Sequence, residues 1–323
     1  MPSPQFLQLH RSDDARLAAE AREGLLQAAA EVSPKFLYDA LGSRLFDAIT
    51  ELEEYYPTRT EASILADADG RITQALRESF AGGRPTALID LGAGNSAKAA
   101  RWFAPLAPRR YLAIDISVDY LRQSLDQLQR QHPAIEMVGV GLDFSARLAL
   151  PDGLVSGPSL VFYPGSSIGN FMPAQALALL RQARELSAGG ALLIGVDLVK
   201  PAALLEPAYD DALGVTAAFN LNLLKHLNRL LGSDFQLRDW RHLALFNAED
   251  SRIEMHLAAR QALTVRWPGG QRSFAEGERL HTENSYKWRA DDFAALLREA
   301  GFASVQTWTD ARGWFAVMLA RAA

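Results

Sequence analysis

An α/β fold built on a parallel sheet is what this sequence predicts, on three observations. Between Pro85 and Val199, five short apolar runs alternate with stretches of helical periodicity: ALIDLG, RYLAIDIS, IEMVGVGLDF, SLVFYPGSS and GALLIGVDLV. The runs are apolar at consecutive positions, as strands covered on both faces are. Glycine, acidic and small residues gather where the runs end. Alternating strands and helices imply a parallel sheet layered by helices, and such sheets bind ligands at the carboxyl ends of their strands.

Taken in order, residues 13–31 (DDARLAAEAREGLLQAAAE) read as an amphipathic helix opened by an aspartate cap. PKFLYDALGSRLFDAITELEEYYPTRTEASIL follows, with two short helical patterns broken at Gly42 and Pro57. A longer helix is expected from Glu61 to Ser79. Inside the alternating region, helices are expected through Lys98 and Trp102, from Val118 to Gln131, and from Pro173 to Leu186. The rhythm stops at Pro201. Residues 209–231 read as helix and 235–263 as antiparallel β, with alternation in RIEMHLAARQ. Helix Ala290–Ala300 and the strand pair FASVQTWT and WFAVMLARA close the chain. The expected division is a core of 62–199 with 288–323, and a second α+β domain of 1–61 with 200–287.

Composition narrows the function. The 323 residues are 49% apolar and 22% charged, ordinary for a soluble globular protein. A net charge of −5 offers no general basic face to nucleic acid or to an anionic membrane. The chain has no cysteine, so disulfides, thiolate metal sites and cysteine nucleophiles are excluded. MPSPQFLQLHRSDD lacks a basic start followed by an apolar core, and runs such as Ala191–Val199 are too short to span a bilayer. The six histidines, His10, His132, His226, His242, His256 and His281, show no metal-ligand spacing, and no GxSxG turn is present. A cytoplasmic monomer acting on a small molecule, without a metal, is the expectation.

Asp90-Leu91-Gly92-Ala93-Gly94-Asn95 falls where the first run turns into a helix. Glycines there let backbone approach a ligand. The turn alone is equally compatible with a dinucleotide enzyme, because Ala97 satisfies the looser form of that fingerprint. Asp115, ending the second run, is placed to accept from ribose hydroxyls. Asp143-Phe144, after the third, is placed to accept from an adenine amino group and to pack on its ring. Lys98 suits a ligand carboxylate, although on pattern alone a solvated helix lysine is the better reading. Asn170, in PGSSIGNF, offers a donor and an acceptor in the same region; a turn asparagine satisfying backbone is the bland alternative. Glu283 and Ser285 stand two apart in TENSYKW, so they face one side of a strand and suit an N–H-bearing side chain; an exposed charged strand is equally plausible on pattern alone.

Together, PKFLYDALGSRLFDAITELEEYYPTRTEASIL, DLGAGNSAK, PGSSIGNF, AYDDALGVTAAFNLN, RIEMHL and TENSYKW resemble the histidine-specific methyltransferase family of ergothioneine biosynthesis. The resemblance runs in order from about Pro34 to the C-terminus. It implies a class I (Rossmann-like) S-adenosylmethionine-dependent core with a terminal antiparallel hairpin, a substrate-binding domain, and three methylations of the L-histidine α-amine to hercynine. It implies that Gly92, Lys98, Asp115, Asp143 and Phe144 line the S-adenosylmethionine site. Tyr55, Asn170 and Tyr209 are implied at the substrate amine and carboxylate; Glu283, Ser285 and Thr282 at the imidazole; Met255 against the ring; Tyr38 near the reacting amine. An unperturbed tyrosine is a poor base near neutrality, so Tyr38 and Tyr55 are assigned positioning roles. Departures are Asn284 between the two imidazole contacts, His256 after Met255, and FYPGSS at the fourth strand. Related fungal enzymes methylate a prenylated tryptophan, so a tryptophan derivative is the alternative substrate. A dehydrogenase and a non-catalytic amino-acid-binding protein on the same scaffold are the alternatives of other classes.

Overall fold

The computed structural model describes residues 3–9, 14–116, 118–145 and 147–322. The chain forms two compact units, one of Met1–Arg11, Pro57–Val199 and Trp288–Ala323, the other of Ser12–Tyr56 and Lys200–Lys287. In the larger unit six strands run parallel: β1 (Gln5–Gln8), β2 (Ala87–Leu91), β3 (Arg110–Asp115), β4 (Glu136–Gly141), β5 (Leu160–Tyr163) and β6 (Ala191–Asp197). The hairpin Phe302–Thr309 and Phe315–Ala322 completes the sheet, its second strand antiparallel to β6. The lateral order is β1, β4, β3, β2, β5, β6, then Phe315–Ala322 and Phe302–Thr309.

Consecutive apolar residues serve both faces of this sheet, because side chains alternate along a strand. Leu88, Tyr111, Phe162 and Leu193 pack on one side with Ile72, Leu76, Trp102 and Leu125. Ile89, Leu112, Val161 and Leu192 pack on the other with Leu179, Leu180, Phe293 and Leu297. Helices Val118–Gln131, Pro173–Leu186 and Ala290–Glu299 supply much of that cover. Strand order reverses between β3–β2 and β2–β5, which makes the end of β2 the switch point where open α/β sheets take ligands.

Three expectations need correction here. Residues 1–61 do not all belong to the second unit: β1 pairs with β4, and Phe6 lies opposite Gly139, where a Cβ would stand 2.7 Å from the Phe6 ring. The pairing hides an otherwise bare sheet edge, and a four-residue strand carries too short a pattern to announce itself. The helix expected over Glu61–Ser79 is two, Tyr56–Asp67 and Asp69–Glu78. Pro57 sits in the first turn of the former, where a missing N–H is harmless, so it opens a helix and does not break one.

The smaller unit packs helices Asp14–Leu26, Ala40–Thr50 and Val215–Leu231 with an antiparallel sheet of β7 (Trp240–Asn247), β8 (Arg252–Ala259) and β11 (Arg279–Tyr286). Its order is β11, β8, β7, and a separate hairpin joins β9 (Leu263–Trp267) to β10 (Gly270–Phe274). The expected cap Asp13 lies outside the described residues. Along Val215–Leu231, Thr216, Phe219, Asn220, Leu223, Leu227 and Leu231 are buried, the spacing of one helix face. Gly42 does not break its helix; it lies in the first turn of Ala40–Thr50, and its N–H is capped by Asp39 Oδ1 at 2.8 Å. A Cβ there would stand 1.8 Å from the Leu37 carbonyl oxygen. Gly42→Ala should therefore cost about 1–3 kcal/mol of stability or more, read as a lower urea midpoint at unchanged m-value. An unaltered midpoint would show that the helix start does not depend on this approach.

Candidate functional site

In the larger unit the ligand edge begins at the turn after β2. Gly92 and Gly94 have φ of 68° and 52°. The Gly92 and Ala93 amides donate to the Ile114 carbonyl at 2.9 and 3.0 Å. Nothing lies within 4 Å of a Cβ placed on Gly92, so the turn offers open backbone to an approaching group. Asp115 ends β3, and its Oδ2 accepts the Gly94 amide at 3.0 Å, which ties the carboxylate to the turn. Asp143 follows β4, buried, accepting from the Ser145 amide at 3.1 Å and from its hydroxyl. Phe144 stands edge-on to Tyr163 with centroids 5.8 Å apart. An open glycine turn and two acids at successive strand ends suit the donor set of an adenosine-bearing molecule.

Lys98 keeps a 40% exposed side chain and is paired as well. Its Nζ is 2.6 Å from Oε2 of Glu61, whose side chain is only 2% exposed, and Glu61 Oε1 accepts the Gly165 amide at 2.8 Å. Glu61 had no sequence signal, because an acid in a helical stretch looks like a surface residue until the fold buries it. Asp90 is buried beside the turn and accepts from the Tyr111 hydroxyl at 2.8 Å. Burial pushes its carboxyl up to about 7, against the pull of that hydrogen bond. Asn170 ends the short helix Ser167–Asn170 after β5 and is half-buried.

In the smaller unit, Glu283, Ser285 and Lys287 occupy one side of β11 and its extension, opposite Met255 and Ile253 in register. All three are buried. Lys287 Nζ donates to Tyr209 Oη at 2.9 Å and to Ser285 Oγ at 2.8 Å, and the two hydroxyls are 2.7 Å apart. Lys287 was not expected from the sequence; its place in TENSYKW, two beyond Ser285, was the available signal. Burial pushes the Glu283 carboxyl up to about 8, while the Lys287 charge draws it down. Thr282 is the extra residue of a β-bulge between His281 and Glu283, and its hydroxyl donates to the Met255 carbonyl at 3.0 Å.

Tyr209 is held from behind. A carbonyl only accepts, so His242 Nε2 donates to the Tyr209 carbonyl at 2.8 Å, and Nδ1 accepts from the Asn220 amide at 2.9 Å. Asp211 accepts from the Val215 and Thr216 amides, capping the helix that carries Asn220. Tyr55 packs edge-on to Tyr209 at 6.3 Å and to Phe46 at 6.1 Å; Tyr38 packs on Phe46 and Phe219 at 5.7 and 5.5 Å. The structure thus brings Tyr38, Tyr55, Tyr209, Met255, Thr282, Glu283 and Ser285 into one unit, and Gly92, Lys98, Asp115, Asp143, Phe144 and Asn170 into the other. Asn284 turns to the reverse of β11, as alternation requires, in register with Glu254. On that side His256 Nε2 lies 3.0 Å from Glu254, and its ring is 4.9 Å from that of His281. Among the described residues, no group of three or more His, Asp or Glu is placed to hold a metal ion, and no helix is long and apolar enough to cross a membrane.

A family model described as histidine-specific methyltransferase, SAM-dependent, matches residues 17–322. The chain belongs to this family. It is 41% identical over 311 residues to a histidine N-alpha-methyltransferase of Mycolicibacterium smegmatis, with 94% of each chain covered. To the protein of the same description in Mycobacterium tuberculosis it is 38% identical over 322 residues, covering 96% of this chain and 97% of the other. It is also 30% identical over 241 residues to ergothioneine biosynthesis protein 1 of Schizosaccharomyces pombe, covering 71% of this chain and 31% of that one. The eight-stranded, largely parallel sheet with its terminal antiparallel hairpin has the strand order of a class I methyltransferase core, and the methyl donor of the family is S-adenosylmethionine.

The raised Glu283 carboxyl makes stability depend on pH. A carboxyl near 8 when folded and 4.5 when unfolded confers stability that is complete below pH 4.5 and lost as pH rises through 8. Ligand-free wild type should lose on the order of a few kcal/mol relative to Glu283→Gln between pH ~5 and pH ~9. Thermal midpoints read across that range test it, and parallel curves for the two proteins would refute it.

Proposed function

We propose that this enzyme transfers methyl groups from S-adenosylmethionine to the α-amine of L-histidine, three times in succession, yielding Nα,Nα,Nα-trimethylhistidine (hercynine) for ergothioneine biosynthesis. The observation that carries the choice of side chain is the buried carboxylate of Glu283 beside the buried hydroxyl of Ser285 on one strand face. A carboxylate accepts from an imidazole N–H, and a hydroxyl donates to the other ring nitrogen. Two relatives that cover nearly the whole chain are named histidine N-alpha-methyltransferase, which supports the choice of histidine.

Gly92, Asp115, Asp143 and Phe144 are assigned to the adenosine portion of the methyl donor, and Lys98, oriented by Glu61, to its carboxylate. The bound donor supplies a methyl already activated by the sulfonium charge. The protein's task is then mainly to hold the nucleophilic nitrogen in line with that methyl, and positioning of this kind contributes about 7–11 kcal/mol at best. In the smaller unit, Tyr55 and Tyr209 are assigned to the amino and carboxylate groups. Met255, Thr282, Glu283 and Ser285 hold the imidazole. Tyr38 and Tyr55, packed in an aromatic cluster, orient the amine and do not serve as strong bases. The amine reaches its neutral form by losing a proton to solvent. A cytoplasmic monomer that needs no metal completes this reading.

Mass spectrometry of protein incubated with S-adenosylmethionine and the twenty amino acids should find three added methyl groups on histidine alone. Methylation of another amino acid would overturn the pocket assignment, and no product from folded, donor-binding protein would overturn the reading. Glu283→Ala should weaken histidine binding by tenfold or more, about 1.4 kcal/mol, with donor binding unchanged. Tyr38→Phe should slow turnover modestly, within about tenfold; near-total loss in a folded variant would make Tyr38 a proton carrier instead.

A further inference from the structure

Lys287 is the one buried side chain in this polar cluster that the histidine reading leaves without a role. It is 3% exposed, and its ammonium donates to both Tyr209 and Ser285 while lying 4.8 Å from the Tyr209 ring centroid. A buried ammonium is costly unless its hydrogens and its charge are matched. The two hydroxyls match hydrogens, and Glu283, whose carboxyl the Lys287 charge draws down, matches charge.

We propose that Lys287 restricts this pocket to the uncharged imidazole ring, by favouring the carboxylate form of Glu283 once the ring is bound and by making Ser285 a hydrogen-bond donor. The inference rests on the histidine reading above. Ser285 Oγ accepts from Lys287, and when Tyr209 donates to it as well, both Ser285 lone pairs are filled and only its O–H is left to offer. A neutral imidazole has one N–H for Glu283 and one bare nitrogen for that O–H. An imidazolium has a second N–H, which would meet a filled oxygen and the nearby lysine charge. With Lys287 and Glu283 ionised the pocket is balanced, and a cationic guest would leave it with an unmatched positive charge.

The other titratable groups nearby do not duplicate Lys287. Behind Tyr209 stands His242 of β7, which burial pushes below its ordinary value, with Asp210 and Asp211 beside it. On the reverse of the sheet, Arg252 is paired with Glu254 at 2.7 Å. Burial pushes His256 down to about 4 and lowers His281 as well, and both rings lie on the reverse of the sheet from Lys287.

The test is calorimetry of L-histidine binding in the presence of S-adenosylhomocysteine, at about pH 7.5 and 5.5. Titration of the free imidazole, with a pKa of about 6.5, alone weakens binding roughly tenfold between these values. Wild type should weaken by clearly more than tenfold, because Glu283 must also shed its proton to accept the ring. Lys287→Met should weaken by no more than tenfold, since nothing then expels the second proton. Lys287→Arg, which restores the charge, should recover the steep dependence even if its affinity differs. A wild-type slope of tenfold or less overturns the proposal without recourse to any variant, as does an undiminished slope in a folded Lys287→Met. Absence of histidine binding to wild type at both pH values would instead refute the substrate reading.

Discussion

A carboxylate withdrawn from water must be neutralised or matched, and Glu283 is withdrawn on a strand whose next two inward positions are Ser285 and Lys287. Much of the smaller unit answers that constraint. Lys287 provides the opposite charge, Tyr209 and Ser285 take up its hydrogens, and His242 holds Tyr209 through its backbone. Asn220 fixes the tautomer of His242, and Asp211 caps the helix that presents Asn220. The sequence AYDDALGVTAAFN is thus a run of supports for one hydroxyl. This explains why so long a stretch of a helix and its approach carries buried polar residues.

The larger unit solves a different problem with simpler means. A parallel sheet covered on both faces brings the ends of β2, β3 and β4 to one edge, and glycine and aspartate there require no elaborate support. Asp115 is fastened to the very turn it borders. Glu61 is the exception: it fixes Lys98 and the Gly165 amide from a helix far away in sequence.

Strands and helices of the larger unit were legible because their periodicity is strong and their length ordinary. The limits of Val118–Gln131 and Pro173–Leu186 can be read directly from the sequence. What was not legible involves pairing or burial across long separations. β1 depends on the bare edge of β4, and Gly42 depends on a carbonyl from a preceding turn. Glu61 and Lys287 look like surface charges in any local window, and only tertiary structure gives them partners. The sidedness of Glu283 and Ser285 was readable by alternation, whereas the bulge just before them was not, since nothing in HTENS signals an extra residue.

That bulge matters for anyone wishing to redirect the enzyme. Simple parity would place His281 beside Glu283, yet Thr282 absorbs one residue and sends His281 to the reverse side, against His256. On the proposed assignment of the imidazole to Glu283 and Ser285, a mutational library aimed at new side chains belongs at 255, 283, 285 and 287. Positions 281 and 284 face the opposite side of the strand, towards His256 and Glu254, and on the same assignment point away from the ring.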